Sequence, residues 1–122
     1  MKDLSELRIY KLGLEIGELV WEEVSRWESF PKWTVGKQVC DSADGIAATM
    51  NEGYYRYSYA EQRKFFQYAL ASAKETAMWW WKAKQRNLIS TDGRYKDVQV
   101  KLDDLIPQTV NYILAMKSKA ES

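Results

Sequence analysis

The sequence predicts an all-α fold, specifically an antiparallel up-and-down four-helix bundle. Three observations lead there. Apolar residues recur at spacings of three and four along most of the 122 residues. Two prolines and six glycines are few interruptions for that length. The segment Asn51–Ser58 reads as a sharp corner, with Ser58 and Glu61 spaced as a capping box and Gly53 suited to the left-handed residue that closes a helix. One domain, residues 1–122, is long enough to bury its own core.

The first helix is expected from about Leu4 to Trp27, started by Asp3 and Glu6 at capping-box spacing. Leu7, Tyr10, Leu14, Gly17, Trp21 and Val24 form its apolar stripe, widened by Leu12, Ile16 and Leu19, with Glu15, Glu18, Glu22 and Glu23 on the other side. Phe30-Pro31 ends it, because proline disfavours helical geometry in the residue before it. The second helix runs from about Trp33 to Glu52 on Val35, Val39, Ile46 and Met50. Gly45, Ala43, Ala47 and Ala48 invite a close neighbour there.

The third helix spans about Tyr59 to Asn87, with Phe66, Ala69/Leu70, Ala73, Ala77 and Trp80 inward. The fourth, about Asp92 to Lys117, carries Val98, Leu102, Leu105/Ile106, Val110, Ile113 and Leu114. Pro107 in its middle removes one hydrogen bond and is expected to kink or break it.

The residue inventory excludes several chemistries. The chain has no histidine, which removes the usual general base near neutral pH and any Ser–His or Cys–His nucleophile pair. No metal site or cofactor is expected, and the protein reads as a non-enzyme. Glu52 and Glu75 are expected to be partly buried, bonded to helix ends or to Ser72 and Arg56 rather than acting as an acid–base pair. A single cysteine, Cys40, rules out an internal disulfide and reads as a small buried hydrophobe. No run of residues is apolar enough for a membrane span, and the polar start Met1–Glu6 lacks a signal-peptide core, so the cytoplasm is the expected compartment.

Charge and aromatics carry the functional expectation. The net charge is +1, yet residues 1–30 hold four basic and seven acidic side chains (net −3) and residues 54–86 hold seven and two (net +5). Arg56, Arg63, Lys64, Lys74, Lys82 and Arg86, with tyrosines at the start of the third helix, are the candidate nucleic-acid contacts. The opposing expectation is that this helix simply pairs with the acidic first one. The run Trp79-Trp80-Trp81 points indoles in several directions and is the candidate oligomer interface.

Glu52, Gly53, Tyr54, Arg56, Ser58, Phe65, Ala69, Ser72 and Glu75, with the upstream Phe30-Pro31, resemble the bacterial four-helix-bundle proteins encoded within intervening sequences of large-subunit ribosomal RNA genes. Glu61 adds its cap to the same motif. Thr49, Tyr55, Ala71 and the pair Cys40-Asp41 depart from the family pattern. The resemblance implies a bundle assembled into a homo-oligomeric ring, often a pentamer. It also implies kinship with accessory proteins of diversity-generating retroelements, whose basic rings bind a reverse transcriptase and nucleic acid. The functional expectation is an oligomeric scaffold for structured RNA or DNA or for a nucleic-acid enzyme. The alternative is a protein-binding or self-assembly module without nucleic acid.

Overall fold

The computed structural model describes residues 2–122, and among them every regular element is helical. A 3₁₀ turn, Leu4–Glu6, precedes helices α1 (Arg8–Val24), α2 (Lys37–Tyr54), α3 (Tyr59–Gln85) and α4 (Asp92–Ala120). A helical turn Ser29–Pro31 and a π-helical turn Lys32–Gly36 lead into α2.

Side chains at the helix starts set the boundaries. Ser58 Oγ accepts from Glu61 N–H at 3.1 Å, and Thr91 Oγ1 accepts from Arg94 N–H at 3.0 Å. Lys82 and Lys84 in the last turn of α3, and Lys117 and Lys119 in that of α4, complement the negative helix ends. The α3–α4 corner closes on Asn87, whose φ of 58° is left-handed. Asn87 N–H bonds Lys84 C=O and Leu88 N–H bonds Ala83 C=O, both at 3.0 Å, which satisfies carbonyls that the helix end would otherwise strand.

Several boundaries differ from the sequence expectation for local reasons. Asp3 accepts from Ser5 N–H rather than boxing with Glu6, so the chain opens with a 3₁₀ turn. The first helix stops at Val24, before Phe30-Pro31, and Pro31 sits in the first turn of the next helical stretch, where its missing N–H costs nothing. Gly53 is an ordinary helical residue of α2, without positive φ. Helix α4 runs unbroken through Pro107 and reaches Ala120, since helices on both sides hold it in place.

The core is built from faces that meet in a cycle. Helix α1 packs on α2 and α4, and α3 packs on α2 and α4. Ile16, Val20, Val39, Ile46, Met50, Phe66, Trp80, Val98, Leu102 and Leu105 are buried to 2% exposure or less. Of the expected α1 stripe Leu12, Ile16 and Val24 are buried, joined by Ile9 and Val20, while Leu14 and Trp21 are 47% and 61% exposed. Leu114 on α4 is likewise exposed, and Thr109 and Met116 take the inner positions.

Glycine sets the closeness of α2 to α3. A Cβ on Gly53 would stand 2.3 Å from Phe65 Cβ, and one on Gly45 would meet Ser72 Oγ at 3.1 Å. The first contact is impossible without moving a helix. Gly53→Ala is therefore expected to destabilise by about 1–3 kcal/mol, lowering Tm by roughly 5–10 °C in thermal unfolding. Gly93→Ala, where the nearest atom lies at 3.8 Å, is expected to leave Tm unchanged or raise it.

Candidate functional site

The cations of α3 are unpartnered. Arg63, Lys64, Lys74, Lys82 and Arg86 form no ion pair among the described residues. The acidic face of α1 turns instead to α4, across which Arg8 pairs with Asp104, Glu15 with Lys101 at 2.9 Å, and Glu22 with Arg94 at 3.2 Å. Lys64, Lys74 and Arg86 are exposed, and Arg63 and Lys82 half-buried. Several cations lie over aromatic rings: Lys64 is 6.0 Å from the Tyr68 ring centre and Lys82 5.4 Å from that of Trp79. These cations are thus left to solvent and to aromatic rings rather than paired with the acidic first helix.

Arg56 stands apart from that strip, at the α2–α3 corner. Its guanidinium lies 4.7 Å over the Phe65 ring and donates to Glu52 C=O. Around it Tyr55, Tyr57, Tyr59 and Lys119 border a pocket of about 680 Å³. Tyr54 is buried there, and its hydroxyl donates to Lys2 C=O. Glu52 and Glu75 are both exposed, contrary to expectation. Glu52 engages Arg56 only through its backbone, and Glu75 accepts from Trp79 Nε1–H at 3.1 Å. Ser72 faces Gly45 across the α2–α3 seam, and its carbonyl accepts from Thr76.

The tryptophan run divides three ways. Trp80 is fully buried, donates to Tyr95 C=O at 3.0 Å and stacks on the Tyr95 ring, so it belongs to the core and is not available to a partner. Trp81 is 52% exposed. Trp79 is half-buried and opens onto a groove of about 800 Å³ shared with Phe30, Trp33, Lys82 and Arg86. Neither Phe30 nor Trp33 was singled out for this by sequence spacing; Phe30 directly precedes Pro31, and Trp33 lies within the π-helical turn.

The one buried carboxylate among the described residues was expected on the polar side of α1. Glu23, 1% exposed, accepts from Trp27 Nε1–H at 3.0 Å, Ser90 N–H at 3.0 Å and Ser90 Oγ–H at 2.7 Å, with Arg94 Nε at 3.7 Å. Burial pushes its pKa up, but the bonds from Ser90 and Trp27 and the Arg94 charge outweigh that and hold it below the ordinary value. Its phase with Ile16, Val20 and Trp27 was the available signal. The cluster ties the end of α1 to the α3–α4 corner, so its role is structural. Cys40 is half-buried, and burial together with Asp44 and Asp41 pushes its thiol up to about 11. Its thiolate is scarce at neutral pH, which leaves it unreactive. Among the described residues no group of three or more acidic or cysteine side chains can hold a metal ion, and no helix is long and apolar enough to cross a membrane.

These features define an all-α protein of four helices whose polar surface is organised by charge. The chain belongs to the 23S rRNA-intervening sequence protein family, whose model matches residues 5–110. The same fold occurs in a solved structure, at 1.70 Å, of a protein of unknown function from the S23 ribosomal protein family of Bacteroides thetaiotaomicron. That likeness has a TM-score of 0.75 and 21% identity, covering 86% of this chain and 97% of the other. No curated protein matches this chain.

Glu23 gives the site a pH signature. Because its folded-state pKa lies below the ordinary value of 4.5, its contribution is complete above that value and is lost as pH falls through the folded-state pKa. Glu23→Gln is expected to cost about 1–3 kcal/mol at pH 7 in denaturant unfolding. The gap to the parent should close progressively below pH 4.5. A gap independent of pH would mean the carboxylate charge contributes nothing.

Proposed function

We propose that this protein is a non-enzymatic scaffold that binds structured nucleic acid, or an enzyme acting on it, in the cytoplasm. The carrying observation is that, among the described residues, the cations of α3 are without carboxylate partners while Glu15, Glu22 and Glu23 of α1 are engaged by α4. A strip of free cations releases counterions from a phosphate backbone on binding and needs no sequence-specific contact. We further propose that the four helices alternate in direction as an antiparallel up-and-down bundle. The descending pairs 8–104, 15–101 and 22–94 support this, as do the close approaches of Gly45 to Ser72 and Gly53 to Phe65.

Assembly into a homo-oligomeric ring, with a pentamer as the first expectation, completes the proposal. Family membership and apolar side chains left in solvent support it: Trp81 on α3, Leu14 on α1, and Val100 and Leu114 on α4, all 47–65% exposed. Those same residues favour the second reading, a protein-binding or self-assembly module without nucleic acid. A reverse transcriptase is the kind of enzyme that the retroelement kinship suggests as a partner.

Two measurements separate the readings. The triple variant Arg63→Gln/Lys64→Gln/Lys74→Gln is expected to bind a structured RNA more weakly in fluorescence anisotropy. Its slope of log affinity against log salt should be smaller by about two to three. Unchanged binding and slope would remove the α3 strip from the proposal. Trp81→Ala is expected to lower the mass of the assembly in light scattering, and a monomeric parent would sink the ring.

A further inference from the structure

We propose that the groove between the π-helical turn and the C-terminal part of α3 seats an unpaired nucleic-acid segment, its bases stacking on Trp33 and Phe30 and its phosphates meeting Lys82 and Arg86. This rests on the nucleic-acid reading above and gives two of its cations, Lys82 and Arg86, a further contact that takes single strands.

The geometry supplies both halves of such a site. Phe30 and Trp33 are 80% and 70% exposed, so their ring faces are open to a stacking partner at no cost in core packing. Trp79 forms the opposite wall, anchored by its indole N–H on Glu75. Lys82 and Arg86 lie one helical turn apart on the same face of α3, beside Trp79. The charged residues that line the groove, Lys82 and Arg86, are both cations, which fits a polyanion. The neighbouring groove, which also borders Trp33, carries Lys32 and Lys37 as well, but there Lys37 is paired with Asp41 at 2.7 Å.

Aromatic faces flanked by cations suit single strands specifically. A base in a duplex is already stacked and cannot present its face, whereas every unpaired base has one. The groove's volume of about 800 Å³ is on the scale of a few nucleotides rather than a helix. The π turn has a direct part in this. Its extra residue per turn shifts side-chain register at Lys32–Gly36, the segment from which Trp33 projects.

The test titrates a labelled oligothymidine of about eight nucleotides against the parent, Trp33→Ala, Trp33→Phe and Lys82→Gln/Arg86→Gln, with a structured RNA run in parallel. Trp33→Ala is expected to weaken oligothymidine binding about tenfold or more, and Trp33→Phe to restore most of it. The double charge variant should flatten the salt slope by about one to two. Thermal unfolding of each variant should match the parent, since all three positions lie at the surface or its edge. Equal oligothymidine affinity for parent and Trp33→Ala would overturn the groove assignment. So would binding of structured RNA without oligothymidine, a result that leaves the α3 strip standing. Failure of both nucleic acids would bring down both proposals. A change in assembly mass on Trp33→Ala, with oligothymidine binding intact, would make the groove a protein contact and overturn the inference.

Discussion

Each helix in a closed cycle of four can neutralise its charges only against two neighbours, and the rest of this molecule depends on which helix lies on the diagonal. Here α1 and α3 are the diagonal pair. The acidic helix therefore finds its cations on α4, through Lys101, Arg94 and, on the return pair, Arg8 with Asp104. Each of these pairs has at least one exposed partner and individually contributes little to stability. The diagonal itself is set by the core: by the small residues that let α2 lie close to its neighbours and by the buried Glu23 cluster that fastens the end of α1 beside Ser90 and Arg94.

The consequence is a chain of almost no net charge with a strongly segregated surface. Pairing α1 with α4 leaves the α3 cations to solvent and to aromatic rings. A cation over a ring keeps its charge available to a third party, whereas one in an ion pair does not. The same end of α3 that carries Lys82 and Arg86 also carries Trp79, so free charge and aromatic surface coincide there. The tyrosine corner at the other end repeats the combination with Arg56 and Lys119.

Much of this was legible in the sequence, and the failures have physical causes. The number of helices, the Ser58 cap, the α2 stripe of Val35, Val39, Ile46 and Met50, and the burial of Phe66 and Trp80 follow from periodicity and capping chemistry. Leu14 and Trp21 were misplaced in the α1 stripe because that helix is apolar over a wide arc, and they satisfy the spacing rule as well as Ile9 and Val20 do. Gly53 was read as a cap when its reason is Phe65, a contact twelve residues away that local rules cannot see. Pro107 was expected to kink or break its helix, yet α4 runs across it without a break, packed on α1 and α3. Glu23 was placed on the polar face because carboxylates usually are, and only its partners Trp27, Ser90 and Arg94 make burial tolerable. The groove was invisible because it joins residues from two helical stretches and a π turn.

The measurement that reaches the central claim most directly is zero-length carbodiimide cross-linking of the native protein, read by mass spectrometry on mixed light and heavy isotopic chains. Carbodiimide joins an amine to a carboxylate only where the two already touch. The cycle described here predicts a cross-link between Lys101 and Glu15 within one chain, and none between Lys64, Lys74 or Lys82 and any glutamate of α1. An α1–α3 cross-link, within or between copies, would mean that the basic helix is spent on the acidic one and would contradict the account.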